Sequence, residues 1–147
     1  MQRLQNLKAV NTTSPRVIND NTAYTTATLD TIGFDEALFI IQFGAMDIAV
    51  AALKLQESND SGMSGATDIT GADFSVSPAT LPSATADDTL VAIHVKLGGV
   101  RKRYLDLSFT AGDGAAGTYA SVLTLLSKAE AYPGNATDRG FGQLLTV

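Results

Sequence analysis

A chain of 147 residues suits one domain able to bury roughly 70% of its unfolded surface, and its 17% share of charged residues is low against an average near ~25%. With no Cys and one His, a disulfide framework, a thiolate nucleophile and a zinc knuckle are all excluded. The net charge of −5 argues against nucleic acid as a main partner, because phosphate binding needs a concentrated cationic face.

Residues 1–22 are expected to form an extended N-terminal arm. Leu4, Leu7 and Val10 are apolar at spacing three, but Asn11-Thr12-Thr13-Ser14-Pro15 cannot continue a helix. Such a segment is expected to order on a partner, with Leu4, Leu7 and Arg16 as candidate contacts. The segment lacks the apolar core of a signal peptide, and no run approaches the ~18 residues of a spanning helix. Synthesis in the cytoplasm and no membrane partner are the expectations.

From Ala23 onward the period is two, and residues 23–147 are expected to form a single β-sandwich domain with an irregular C-terminal tail. Ala23, Thr25, Ala27, Leu29 and Thr31 alternate in a Thr-rich first strand closed by Gly33. Ala37 to Phe43 is apolar at almost every position, as a central strand covered on both sides should be. Asp47 to Gln56 is read as a third strand with Leu53 and Leu55 facing one way and Lys54 and Gln56 the other; its Ala content makes a helix the rival. Ser58 to Gly71, dense in Ser, Gly, Asn and Asp, is read as loop. Ala72 to Val76 is read as a short edge strand before Pro78 and Pro82. Leu90 to Leu97 places Val91, Ile93, Val95 and Leu97 inward. In Arg103-Tyr104-Leu105-Asp106-Leu107-Ser108-Phe109-Thr110-Ala111, strict alternation predicts a strong strand. The Asp113-Gly114 turn then predicts a hairpin into Thr118 to Leu126. About seven strands with no intervening helices predict an all-β sandwich or jelly-roll.

Little in the chain converges on chemistry. His94, the one histidine, falls mid-strand on the face opposite Val91, Ile93 and Val95, where a surface or interface role is the plain reading. Asp60, Asp68 and Asp73 lie among Ser, Gly and Asn, the oxygen-rich company calcium prefers, but the spacing fits no EF-hand and lacks its terminal Glu. Asp87 and Asp88 are adjacent on an extended chain and point apart, unlike a glycosidase pair. Ala111-Gly112-Asp113-Gly114-Ala115-Ala116-Gly117 has neither the register nor the Lys-Ser/Thr ending of a phosphate loop. No cofactor is expected and no enzymatic activity.

Charge is unevenly spread. No Lys or Arg occurs from Leu55 to Val95, whereas Glu57, Asp60, Asp68, Asp73, Asp87 and Asp88 fall inside; then Lys96, Arg101, Lys102 and Arg103 arrive together. That asymmetry suits docking against complementary charge, with Arg101, Lys102 and Arg103 as candidate partner-binding residues.

The segments ALFIIQFG, LKLQESND and RKRYLDLSFTAGDGAAG, in that order, resemble the small β-sandwich proteins encoded in tailed-phage head modules. The likeness covers about residues 37–126. It implies a jelly-roll-like capsid decoration or cement protein on the exterior of a phage head, bound to the major capsid protein. It also implies strand-anchor roles for Tyr104 and Leu105 and a capsid-facing rim at Arg101 to Arg103. Closed symmetry that buries sheet edges leads to the expectation of a homodimer or homotrimer. The alternatives are a tail-tube, neck or tail-completion protein of a phage and, from another class, a carbohydrate- or calcium-binding β-module.

Overall fold

The computed structural model of the chain describes residues 6–131 and 135–143. Among the described residues nine strands follow one another: β1 (Lys8–Ile18), β2 (Ala23–Thr25), β3 (Leu29–Asp30), β4 (Phe34–Met46), β5 (Ala52–Ser58), β6 (Thr67–Asp73), β7 (Leu90–Lys96), β8 (Tyr104–Thr110) and β9 (Thr118–Ala129). They form two antiparallel sheets. Sheet 1 has the order β1-β9-β4-β7; sheet 2 has the order β2-β8-β5-β6, with β3 also paired to β8. The expected all-β sandwich is the observed architecture.

The core lies between the sheets and follows the period of two. From sheet 1, Ala37, Phe39, Ile41 and Phe43 of β4 face inward with Ile93 and Val95 of β7 and Ala120, Val122 and Leu126 of β9. Sheet 2 answers with Leu53 and Leu55 of β5 and Leu105, Leu107 and Phe109 of β8. Each Val, Leu, Ile or Phe among them contributes roughly 1.5–3 kcal/mol when fully buried. The Phe43 and Phe109 rings meet across the gap with centroids 5.9 Å apart, tilted by 37°.

Four local expectations change. The N-terminal arm is the first: Lys8–Ile18 is a full strand of sheet 1, in register with β9 from Lys8 opposite Leu126 to Ile18 opposite Thr118. The polar run that rules out a helix suits an edge strand instead. Thr12 Oγ1 donates to the Val122 carbonyl at 3.1 Å, and Pro15 falls where the register shifts. Second, the Thr-rich strand over Ala23–Thr31 is broken into β2 and β3, because Thr26 is drawn onto β8. Its N–H donates to the Leu107 carbonyl, and its Oγ1 accepts from the Leu107 N–H.

Third, residues 67–71, read as loop, belong to β6. The connection is tighter than its composition implies, since Asp60 Oδ1 accepts from the Gly62 N–H at 2.8 Å and closes the turn. Ile69 and Ala72 then bury against the core. Similarly, the strand expected from Asp47 starts only at Ala52. Fourth, β8 and β9 are not a hairpin: β8 lies in sheet 2 and β9 in sheet 1, so the glycine-rich segment crosses the end of the sandwich. Gly112 sits against the Ala49 carbonyl and the Ile48 side chain with no room for a Cβ. Asp47 accepts hydrogen bonds from the Ala115 and Ala116 amides, which hold its carboxyl below the usual range.

Candidate docking surface

The residues of sheet 1 that alternate with its core point outward, and most are apolar. Register places them in rows across the strands. His94, Leu38 and Leu125 form one row, Ala92, Ile40 and Leu123 the next, and Leu90, Gln42 and Ser121 the third. Leu38, Ile40 and Leu125 are half-buried by their neighbours, while Leu123 is 43% exposed, Leu90 67% and Tyr119 51%. Val17 of β1, opposite Tyr119, extends the surface. Gly44 makes room here, for a Cβ on it would lie 3.2 Å from the Tyr119 Cβ. Beside Tyr119 a cleft of about 430 Å³ is lined by Arg16, Gln42, Asp88 and Ser121 among others.

Charge sits at the two ends of this face. Toward the start of β4, Glu36 receives Lys128 Nζ at 2.6 Å and lies 3.8 Å from His94 Nε2, an ionic contact only when the imidazole is protonated. The Lys128 hydrogen bond keeps the Glu36 carboxyl below its ordinary range. At the far end, Asp87 accepts from the Met46 N–H at 3.0 Å, and Asp88 adopts a left-handed φ of 57° just before β7.

The candidate partner residues lie elsewhere. Arg101, Lys102 and Arg103 occupy the turn between β7 and β8. Arg103 grips Asp30 through two bonds of 2.8 and 2.7 Å and stacks 5.0 Å from the Tyr104 ring centroid. Arg101 lies 3.7 Å from Glu57, and the Lys102 ammonium donates to Thr67 at 3.0 Å. Each cation thus has a partner within the chain, which sequence spacing gives no means of finding. Two apolar side chains in the adjoining turns project into solvent: Val100 is 77% exposed and Ile32 61%. Arg16 stands 5.2 Å from the Tyr24 ring centroid and donates to its hydroxyl, and Leu7 is half-buried ahead of β1; Leu4 lies outside the described residues.

The aspartates of the calcium reading are spoken for by protein groups. Asp60 caps its own turn, Asp68 binds Lys54 and Gln56 at 2.7 and 2.6 Å, and Asp73 binds Ser75. Among the described residues, no group of three or more His, Asp or Glu side chains comes together to hold a metal ion.

Asp106 is a residue that sequence reasoning passed over. It belongs to the polar, outward parity of β8, yet it is only 4% exposed, and its Oδ1 has no hydrogen-bond partner among the described residues. Burial raises its pKa. The charged form therefore costs stability in the folded state, and the cost appears as pH rises from the unfolded carboxylate pKa toward the folded one. Asp106→Asn is expected to stabilise the protein by about 1 kcal/mol at pH 7. In thermal melts at pH 3, where the acid is protonated folded or unfolded, that advantage should vanish. An equal gain at both pH values would show that the carboxylate is not the cause.

No protein-family model matches the chain, and no curated protein matches it.

Proposed function

We propose that this chain is a structural virion protein of the decoration or cement kind, which docks on the exterior of a phage head and stabilises the shell. The observation that carries the reading is the exposed apolar tip at one end of the sandwich, where Val100 and Ile32 project into solvent beside Arg101, Lys102 and Arg103. Leaving Val100 and Ile32 open to water is unfavourable unless another protein covers them. The strand order supports the jelly-roll reading. With β2 and β3 counted as one, eight strands fall into two sheets in which β1 lies beside β9 and β2 beside β8. Interlocked Greek keys give this interleaving, and the architecture recurs in viral capsid domains. The resemblance of residues 37–126 to phage head proteins points the same way.

The capsid-facing rim is assigned to the turn that carries Val100, Arg101, Lys102 and Arg103. Because the cations there are held by Asp30, Glu57 and Thr67, their contribution is a rigid, shaped rim more than free positive charge. Val100 is the apolar tip. Purified protein mixed with undecorated heads is expected to co-sediment with them and to raise their melting temperature. Val100→Glu removes no core contact, so it should leave the fold intact and lower head binding at least ~10-fold, as loss of an apolar interface anchor does. Heads that melt identically with and without the protein would overturn the proposal.

A carbohydrate-binding β-module is the second reading, favoured by the cleft beside Tyr119. An exposed aromatic ring next to Gln42, Asp88 and Ser121 combines a stacking platform with hydrogen-bonding groups. Binding to a glycan array that is lost in Tyr119→Ala would support it over head decoration.

A further inference from the structure

We infer that the outer face of sheet 1 is covered by a second copy of this chain, in a two-fold dimer whose axis crosses the strands near Ile40 and Leu123. The inference rests on the reading of that face as a protein-docking surface and names its occupant.

Area comes first. From Glu36 to Gly44, β4 extends ~30 Å, and four strands at ~4.8 Å span ~19 Å, which gives roughly 570 Å² before side-chain corrugation is counted. Two such faces bury about 1,100 Å², above the ~1,000 Å² that a specific interface needs. A face-to-face sandwich of sheets about 10 Å apart is also the ordinary way two such surfaces meet.

Charge then selects a copy of the same face. At one end, Lys96 and Lys128 against Glu36 and Asp35 leave no formal net charge (two cations, two anions, His94 taken as neutral). At the other end, Asp87 and Asp88 against Arg16 leave −1 (two anions, one cation). A two-fold axis lying between the faces and perpendicular to the strands places the lysine-bearing end of each copy over the acidic end of the other. That charge contact therefore occurs twice. The same operation brings the central row, Ile40 and Leu123, onto itself and buries it away from the charged ends. An axis parallel to the strands would set like ends together, so the charges argue against it.

Sedimentation equilibrium of the full chain at tens of micromolar tests the inference. The expected mass is twice the 15.3 kDa of one chain. Leu123→Arg buries an unpaired charge on the axis and should weaken dimerisation about 30-fold or more. The same change at Ile32, which is exposed outside sheet 1, should leave the dimer intact. A second measurement guards against misfolding. The chain has no Cys, so Leu123→Cys supplies a single thiol, and a bismaleimide cross-linker whose spacer spans the gap between the sheets is expected to yield a covalent dimer. A monomeric or trimeric wild-type mass would overturn the inference, as would a Leu123→Arg protein that still dimerises. Head co-sedimentation reports separately: dimers that ignore phage heads would sink the decoration reading and leave this one standing.

Discussion

Removing residues 1–18 is expected to abolish the cooperative melt of this protein. The truncation deletes β1, which pairs with β9 along eight register positions. Ala9, Thr12, Thr13 and Ile18 are buried in the intact chain and would be lost. Thr124, now fully buried and hydrogen-bonded to Thr12 at 3.1 Å, would lose that partner, and β9 would become a sheet edge. Losing that packing and a row of ladder hydrogen bonds costs on the order of 5–10 kcal/mol, which is as large as the whole stability of a typical domain. Circular dichroism against temperature is the check. A truncated chain that melts like the full one would show that β1 lies on the sandwich without supporting it.

Phe43→Ala should be the most damaging single substitution in the core. Phe43 is fully buried between the sheets, and its ring meets that of Phe109 from sheet 2. Truncation removes the ring contact and leaves a cavity walled by β-strands that cannot collapse without shifting their ladders. Costs of 3–5 kcal/mol are usual for such changes. At about 2–4 °C per kcal/mol for a domain of this size, the melting temperature should fall by roughly 6–20 °C. Phe109→Ala should cost a similar amount. The double variant should cost less than the sum, since each single change already removes the shared contact. Strict additivity would mean that the two rings do not support each other.

The sandwich was legible wherever one face of a strand is buried and the other is not. Leu105, Leu107 and Phe109 mark β8, and Ile93 and Val95 mark β7, because alternation is imposed by the pleat. The adjacent neighbour in sequence was a poor guide to the neighbour in space. Asp113-Gly114 is a sound hairpin signal, but whether a turn joins two strands of one sheet or crosses to another depends on what lies beneath it. Here that is Asp47 and Ala49. Polar composition misled at both β1 and β6. Thr, Asn and Asp suit loops in general, yet an edge strand can carry them if a few inward positions, such as Thr12 or Ile69, find a partner.

The docking face was half visible. Leu38, Ile40, Leu123 and Leu125 are plainly apolar in the sequence, and the run Ala37 to Phe43 was read as covered on both sides. Within one chain, sheet 2 covers only the inner side; the outer rows emerge once the register of β4 with β7 and β9 is known. The Arg101–Arg103 cluster shows the reverse. Its charge stands out in the sequence, while the partners that neutralise it, Asp30 and Glu57, come from distant strands.

Pairing the first strand with the last has a consequence for biosynthesis. Sheet 1 takes its two central strands from β4 and β9, and among the described strands β1 pairs with β9 alone. Until Thr118–Ala129 has left the ribosome, β1 has no ladder to join and β4 lacks one of its two neighbours. Joining ends so far apart in the chain is the slow kind of closure. The nascent polypeptide meanwhile displays Phe39, Ile41 and Phe43 beside an unfilled strand edge, so its exposure to aggregation ends only when translation has passed Ala129.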